Sequence, residues 1–484
     1  MADAEEPPDT LPKSRRYWPQ RKRFQLLLIL LILLLISSLL TWRAREDIAD
    51  DLILTQLDAL GIEATYEIVD IGLTQQILRN FVVGDPDNPD LFIERVEVIP
   101  VVGLTGAGVG TLTLVNPRLR ATYIDGKFSL GALDAAFEGD PDQPANLPNW
   151  SLNLVNARAQ IITEYGPAGL KADGQGRLDG GFQGISALVA PDWKVGDCNW
   201  AALKMVGEVT TSRGQPFFNG PLSLESLSCQ QGDVAMAQAT IGTSLAGNAD
   251  LAGGSGALTL AVPRIAAAGS TLTKLDGTIH FDLADDLANI RYQLAAETAV
   301  TSYATIDRPR ADGGMRYRFA DGRFELDGGL AGDTLQLGPY ARDSLGSLRM
   351  ASDGTLAAPL IAQLERALES NLSGSTMAAE VLVRSNSESM SVVVPSARLR
   401  NAEGEGLLAL SQVQVSSDGD DGGQLRIAGN FATDGAGMPR IRGRMENDSA
   451  GNPTVRIDMA PYRTAGSSFC LLYTSPSPRD GLLS

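Results

Sequence analysis

The sequence predicts a mainly β protein, in which a single N-terminal transmembrane helix precedes an elongated, mostly antiparallel, curved β-sheet body with a few short helices. Three observations lead to this fold class. An uncharged apolar stretch runs from Phe24 to Trp42, apolar and polar residues alternate in many short runs between residues 64 and 466, and the 51 glycines provide frequent turns.

The stretch Phe24–Trp42 has the length of a membrane-spanning helix. At 1.5 Å per residue it spans about 28 Å, close to the roughly 30 Å hydrocarbon core of a bilayer. A cleaved signal peptide is the alternative, but its apolar core is usually shorter and is followed by small residues at a cleavage site. Thr41–Arg45 offers no such pattern. We therefore interpret residues 24–42 as an uncleaved anchor.

Charge on the two sides of the anchor predicts its orientation. Residues 1–23 form a polar arm with six basic and four acidic side chains, and acidic residues follow soon after Trp42. The positive-inside rule places this arm in the cytoplasm and the rest of the chain across the membrane. Because the whole chain has a formal net charge of −18, the translocated part carries −20, which would repel nucleic acid.

Residues 43–63 are predicted to form a juxtamembrane amphipathic helix. The helical spacing of apolar residues is clearest over Asp47–Leu60, and Gly61 follows as a stop. From Ala64 the periodicity changes to two, and we bound the β-rich body at residues 64–466.

An Asp-Gly dipeptide between alternating runs is a strong hairpin signal, and the body contains two clear examples. The first hairpin, Arg118–Leu130, turns at Asp125–Gly126 and places Tyr123 opposite Phe128. Aromatic residues therefore meet on one face of the pair.

The second hairpin, Met315–Asp327, turns at Asp321–Gly322. The register of a two-residue turn pairs apolar with apolar side chains on one face and basic with acidic side chains on the other. These predicted pairs are Phe319 with Phe324, Tyr317 with Leu326, Arg318 with Glu325, and Arg316 with Asp327.

Two later segments depart from the strand pattern. Ala357–Leu372 predicts a helix, with Pro359 at its start, an apolar stripe, and Gly374 after its end. Residues 467–484 show neither alternation nor a capping residue, and Cys470–Ser484 resembles translated adapter sequence. We expect a non-native tail there, and a natural chain that continues further.

Cys198 and Cys229 are 31 residues apart in the translocated part, where a disulfide is permitted. The chain-entropy model gives such a bond roughly 3 to 4 kcal/mol. Two free buried thiols are the alternative. Neither cysteine has a C-x-x-C partner or a neighbouring histidine, so we expect no metal site.

The sequence contains no recognisable catalytic constellation. His280 is the single histidine and alternates onto the polar face of its predicted strand, and the motifs of serine hydrolases, P-loop NTPases and zinc proteases are missing. Gly106–Gly110 is interpreted as a flexible turn. Asp418–Gly422 is interpreted as a solvated turn, because no Glu follows to close a calcium loop. We expect neither enzymatic activity nor a cofactor.

The N-terminal part of the chain resembles a known family. The basic arm, the anchor and REDIADDLILTQLDALGI are followed by YEIVDIG, ILRNFVVGDPDNPDLFIERVEV and RLRATYIDGKFSLGALD. Over Arg43–Asp134 these segments resemble the start of the YdbH-like branch of the AsmA/TamB superfamily. The resemblance implies a bacterial inner-membrane protein with a longer, periplasmic, β-rich body that moves phospholipid toward the outer membrane. It also implies contact with outer-membrane components through a part missing here, and no catalytic residues.

Two functions of different classes follow. The first is a part of a phospholipid conduit between the inner and outer membranes. The second is an envelope assembly or scaffold factor that holds outer-membrane protein clients at an exposed sheet edge. Co-purified phospholipid would favour the first function, and crosslinking to unfolded barrel proteins the second.

A sheet of alternating strands must also cover its apolar side. A sheet-on-sheet core is one solution. The other is a curved sheet whose concave side lines a groove, where acyl chains take the place of a core. The candidate groove-lining residues are Tyr123, Phe128, Tyr317, Phe319, Phe324 and Leu326.

Overall fold

The computed structural model describes residues 61–72, 75–103, 106–125, 127–134, 146–250, 253–284, 286–355, 357–386, 389–418, 425–433, 435–448, 451–459, 462–464 and 467–469. The predicted anchor Phe24–Trp42, the predicted helix Asp47–Leu60 and Cys470 lie outside these residues. None of the helices within them combines the length and hydropathy needed to cross a membrane.

Most of the described residues form one curved sheet of 24 strands. The strands are β1 (Ala64–Ile71), β2 (Gln76–Val83), β3 (Leu91–Gly103), β4 (Gly106–Val115), β5 (Arg118–Ile124), β6 (Lys127–Ser129), β7 (Ser151–Thr163), β8 (Gly166–Arg177), β9 (Gln183–Val195), β10 (Cys198–Ser212), β11 (Gln215–Cys229), β12 (Val234–Gly247), β13 (Gly254–Ala267), β14 (Ser270–Ala284), β15 (Leu287–Ala295), β16 (Thr298–Val300), β17 (Ala304–Arg318), β18 (Arg323–Leu337), β19 (Thr376–Ser385), β20 (Ser389–Arg400), β21 (Gly406–Asp418), β22 (Leu425–Thr433), β23 (Ile441–Asn447) and β24 (Pro453–Met459). A separate pair joins β25 (Tyr462–Thr464) to β26 (Ser467–Phe469).

From β7 onward nearly every strand pairs antiparallel with the next strand of the chain, so the sheet is a long meander. β4 and β5 act as one interrupted strand, since both pair antiparallel with β3 and both run parallel to β7. Near the middle, β16 bridges β14 and β17 beyond the end of β15. The mainly antiparallel, curved sheet predicted from the alternation is therefore confirmed.

Two α-helices, α1 (Pro339–Ser352) and α2 (Ala358–Asn371), connect β18 to β19. Each has a proline in its first turn, where the missing N–H would have no intrahelical partner. α2 confirms the helix predicted at Ala357–Leu372. α1 was not predicted, because it has few apolar residues, of which Leu348 and Met350 are exposed. Two short 3₁₀ turns occur at Gly131–Leu133 and Gln231–Asp233.

The strand pairing is interrupted along one transverse row that crosses β9 to β17. Four non-glycine residues in this row have φ between 47° and 55°, and Ala202, Gln238 and Lys274 are spaced 36 residues apart. Proline cannot donate to a ladder and is tolerated in a central strand at a bulge, which explains Pro191 and Pro263 here. We call this set the bulge row: Pro191, Ala202, Glu225, Gln238, Pro263, Lys274, Glu297 and Arg308.

The structure tests both predicted hairpins. Tyr123 pairs with Phe128 in β5 and β6, as predicted. The predicted pairs of the second hairpin are wrong by two residues: Phe324 lies opposite Tyr317 instead of Phe319, because residues 319–322 form a four-residue loop in place of a two-residue turn. The error is an even number of residues, so every strand side chain keeps its predicted face.

The remaining turn predictions have different outcomes. The prediction of a flexible turn at Gly106–Gly110 is wrong, because this segment forms the first half of β4 and pairs with β3. The run of alternating residues that follows it continues the same strand, which explains the error. Of Asp418–Gly422, only Asp418 lies within the described residues.

Candidate functional site

One face of the sheet is apolar from β4 to β22. A continuous series of cross-strand partners on this face contains only apolar side chains and glycine, and at about 4.8 Å per strand it is roughly 70 Å long. Its members are, in spatial order, Leu114, Leu154, Gly174, Gly184, Val209, Phe218, Leu245, Gly256, Phe281, Ile290, Met315, Leu326, Val383, Val392, Val415 and Ile427. We call the side of the sheet that carries this series the apolar face.

The opposite side is polar, because successive residues of a strand point to opposite faces. Each member of the apolar series has a sequence neighbour on the polar side, and these neighbours also form a series of cross-strand partners. From β14 to β22 they are Asp282, Asn289, Arg316, Glu325, Arg384, Ser391, Ser416 and Arg426. His280 is exposed on this side, opposite Arg291, where the alternation predicted it. Exposed ion pairs such as Lys274–Glu297, at 3.0 Å, keep this face hydrated and contribute little stability.

Aromatic rings lie over glycines of neighbouring strands on the apolar face. A Cβ added to Gly174, Gly207 or Gly256 would stand 2.5 to 2.7 Å from the ring of Phe182, Phe218 or Phe281, respectively. At Gly443 the ring of Phe431 would be only 2.0 Å away. Glycine therefore lets each ring lie flat along the sheet, so the apolar face is smooth at these positions.

The ring of Tyr292 takes a similar position, with its hydroxyl over Gly313 and Gly328. Burial raises the pKa of Tyr292, and the negative charges of Asp327 and Asp312 raise it further. The phenol therefore stays protonated and uncharged at neutral pH, and it adds no charge to the apolar face.

At the bulge row two apolar rows pack against each other. Residues two apart share a face in a regular strand, but here residues three apart do, such as Trp200 and Leu203 on β10. The buried members are Ala168, Ala190, Leu203, Leu224, Ala239 and Val262, and Trp193, Trp200, Leu227, Met236, Ile265 and Leu275 pack on them. We infer that the strands bend toward the apolar face along this row, because bulges locally bend the strands that contain them.

Separate segments cover the two ends of the apolar face. At one end Ile62 and Leu133 pack with Val83, which is 0% exposed. At the other end α2 packs over the ends of β18, β20 and β21, and Leu407 is 0% exposed. Between these ends, no helix or second β-layer within the described residues packs on the face. The buried clusters join neighbouring strands of the same sheet.

The six predicted lining residues occur at two places. Tyr123 and Phe128 form one exposed pair on the β5–β6 hairpin. Tyr317, Phe324 and Leu326 share the apolar face of β17 and β18, and Leu326 belongs to the 70 Å series. Phe319 lies in the adjoining loop, 59% exposed, with its ring edge-on to Tyr317 at 5.1 Å.

Sequence reasoning placed Phe281 on the apolar face of its strand but missed most of the rest of this face, including Phe218, Tyr292 and Phe431. A signal for them exists, since each ring lies over a glycine of a neighbouring strand, which is its partner in this contact. That signal can be read only when the strand register is known, because partners lie more than ten residues apart in sequence.

Cys198 and Cys229 are direct cross-strand partners at the ends of β10 and β11. Their Sγ atoms lie 2.07 Å apart, which is bonding distance for a disulfide. The pair adjoins Trp200 and Leu227 beside the open part of the apolar face. No group of three or more potential metal ligands occurs among the residues described.

Comparison with known proteins gives one match. The family model YdbH-like, described as intermembrane phospholipid transport protein YdbH, matches residues 32–468. This range includes all 24 strands of the sheet. No curated protein and no solved structure matches the chain.

Proposed function

Since the chain belongs to the YdbH-like family of intermembrane phospholipid transport proteins, we propose that its apolar face lines a groove for phospholipid acyl chains. The observation that supports this proposal best is the series of apolar partners from Leu114 to Ile427. It is roughly 70 Å long, and no described layer covers it between its ends.

The proposed groove has a simple energetic basis. An apolar sheet face exposed to water is unfavourable, and burying acyl chains on it gains about 0.8 kcal/mol per methylene. Charged headgroups stay in water at the open side, since the apolar face offers them no charged partner. The ligand thus takes the place of a second protein layer.

The membrane arrangement is also part of the proposal. Residues 24–42 anchor the protein in the inner membrane as a single pass, and residues 1–23 stay in the cytoplasm, so the body lies in the periplasm. A reporter enzyme that works only in the periplasm should be active when fused after Trp42. Activity of a cytoplasmic reporter at the same position would contradict this orientation.

A photocrosslinking amino acid tests the groove directly. Leu326 and Asp327 are neighbours on β18 that point to the apolar and the polar face, respectively. We expect a crosslinker at Leu326 to capture phospholipid in cells, and one at Asp327 to capture none. Equal capture at both positions, or none at Leu326, would contradict the groove.

Phe319 offers a transport test that leaves the fold intact. Its side chain is 59% exposed in a loop, so Phe319→Asp removes little buried contact. We expect this variant to fold normally and to slow phospholipid transfer, because an acyl chain at the margin of the apolar face would have to displace water from the new carboxylate. Arg318→Asp, which introduces the same residue at the neighbouring position on the polar side, is the control and should transfer lipid normally.

The assembly-factor function has one observation in its favour. β24 pairs on one side only among the described residues, and its apolar-side residues Val455, Ile457 and Met459 are 40 to 56% exposed. An open edge of this kind can accept another strand. Crosslinking at β24 to unfolded barrel proteins would support this second function.

A further inference from the structure

The bulge row leads into a cavity on the apolar face between β14 and β19. The cavity has a volume of about 250 Å³, and its lining is almost entirely apolar. The side chains that define it are Leu272, Leu294, Ile306, Ala311, Leu330 and Met377. We call it the β14–β19 cavity.

A change in side-chain size explains why the space opens here. The row of cross-strand partners beside the bulge row runs through Trp193, Trp200, Leu227, Met236, Ile265, Leu272, Ala299 and Ile306. Large side chains fill the bend as far as Leu272, and then Ala299 follows. On the other side of the bulge row the large side chain of Leu275 on β14 is likewise followed by a small one, because Ala296 lies across from it at the end of β15. The same backbone bend that is filled from β9 to β13 is thus left open at β14–β17.

The absence of a side chain at Gly332 on β18 also shapes the cavity. A Cβ on Gly332 would stand 2.4 Å from Cγ2 of Ile306, so Ile306 leans against the backbone of β18. Met377 follows on β19, opposite Gly332. Leu330 is 43% exposed at the margin, which leaves the cavity open to the groove.

The polar groups near the cavity are already paired. The hydroxyls of Thr273 and Thr298 lie 2.6 Å apart. Arg308 is 3.0 Å and Arg310 is 3.6 Å from the carboxylate of Asp333. The cavity therefore suits an apolar chain and offers no free charge to a headgroup.

We propose that the β14–β19 cavity is a discrete binding site for the terminal part of a lipid acyl chain. A pocket lined by apolar side chains and open to the groove exposes apolar surface to water, and an acyl chain that fills it removes that surface from water. This inference rests on the proposed transport function and goes beyond it. Lipid stops at a defined position on the apolar face, and the remaining face serves as the path to and from that position.

The site can be mapped with a phospholipid that carries a diazirine at the end of one acyl chain. Illumination with the full-length protein, followed by peptide mass spectrometry, gives the position of each crosslink. We expect crosslinks to concentrate on Leu294, Ile306, Leu330 and Met377. Residues of the apolar face elsewhere, such as Phe218 and Phe431, should be labelled much less.

Ala311→Leu tests the cavity itself, because Ala311 lies between Leu294 and Leu330 and a larger side chain fills the space. Excluding about two methylenes of the ligand should lower crosslinking at the cavity by roughly tenfold. Ala378→Leu is the matched control, since Ala378 is exposed on the polar side of β19. Leu330→Trp fills the cavity from its exposed margin and replaces Ala311→Leu if that variant fails to fold.

The outcomes separate this inference from the proposed function. Concentrated crosslinks that Ala311→Leu or Leu330→Trp removes would support the discrete site. Crosslinks spread evenly along the apolar face and unchanged by both variants would overturn the site but leave the groove. Absence of crosslinks from the whole apolar face would overturn both.

Discussion

The ends and the middle of the apolar face follow the same alternating pattern, but they are buried in different ways. Val83 and Leu407 are 0% exposed because Ile62 and Leu133 cover one end and α2 covers the other. Leu330, in the open middle, is 43% exposed. Alternation thus defines which face is apolar, and separate segments of the chain decide where that face is closed. The closed ends contribute to folding, and the open middle is where we propose that the ligand lies.

The largest expected effect comes from removing a side chain at a closed end. Leu407→Ala should lower the free energy of unfolding by about 2 to 5 kcal/mol, because it leaves a cavity under α2. Leu330→Ala in the open middle should cost less than about 1 kcal/mol, since water already reaches that side chain. Urea denaturation of both variants measures the two losses in the free energy of unfolding. Equal losses would show that the two regions are buried alike.

The next effect concerns the disulfide beside the open middle. Replacing Cys198 and Cys229 by serine should lower stability by roughly 3 to 4 kcal/mol in the chain-entropy model. Hydrogen exchange should show the loss in β9–β12, with α2 unaffected. Non-reducing digestion of the native protein should yield one linked peptide pair, whereas full alkylation of both thiols without reduction would rule the bond out.

A smaller effect is expected where rings lie over glycines. Gly256→Ala would place a Cβ 2.7 Å from Cζ of Phe281 and force the ring to move, at a cost of about 1 to 3 kcal/mol. Gly346→Ala in α1 is the matched control, because nothing lies within 4 Å of its added Cβ. That substitution should be neutral or stabilise the helix by up to about 1 kcal/mol. The midpoint temperatures of thermal denaturation of the two variants should therefore shift in different directions or by clearly different amounts.

The outcome for the fold shows which signals are local. Asp125–Gly126 predicted the Tyr123–Phe128 pair, and Ala357–Leu372 predicted α2, because each signal lies within a few residues of the structure that it specifies. The bulge row has no such signal at Ala202 or Gln238. Proline inside a strand-like run, as at Pro191 and Pro263, was its only trace in the sequence.

The candidate site could also be predicted only where the signal is local in the sequence. The face of Tyr317, Phe324 and Leu326 could be predicted, since a side chain's face depends only on whether its position is odd or even. Their partners could not, because a four-residue loop replaced the expected turn. The β14–β19 cavity depends on side chains from five strands, so neither its position nor its size could be read without the register.

The smallest expected effect is a pH dependence at the end closed by Leu133. The hydroxyl of Ser129 and the N–H of Leu130 donate to the carboxylate of Asp134, and these hydrogen bonds lower the pKa of Asp134 below its usual 3.8. A lowered folded-state pKa means that the stabilisation is present above the unfolded value and is lost as the pH falls through the folded value. Protection of the Leu133 amide from hydrogen exchange should therefore decline on acidification below about pH 4, while α2 keeps its protection. Ser129→Ala should raise the pKa of Asp134 and move this decline to higher pH, whereas Ser228→Ala on β11 should leave it unchanged. If both serine variants behave like the parent protein, Asp134 does not control the closure of this end.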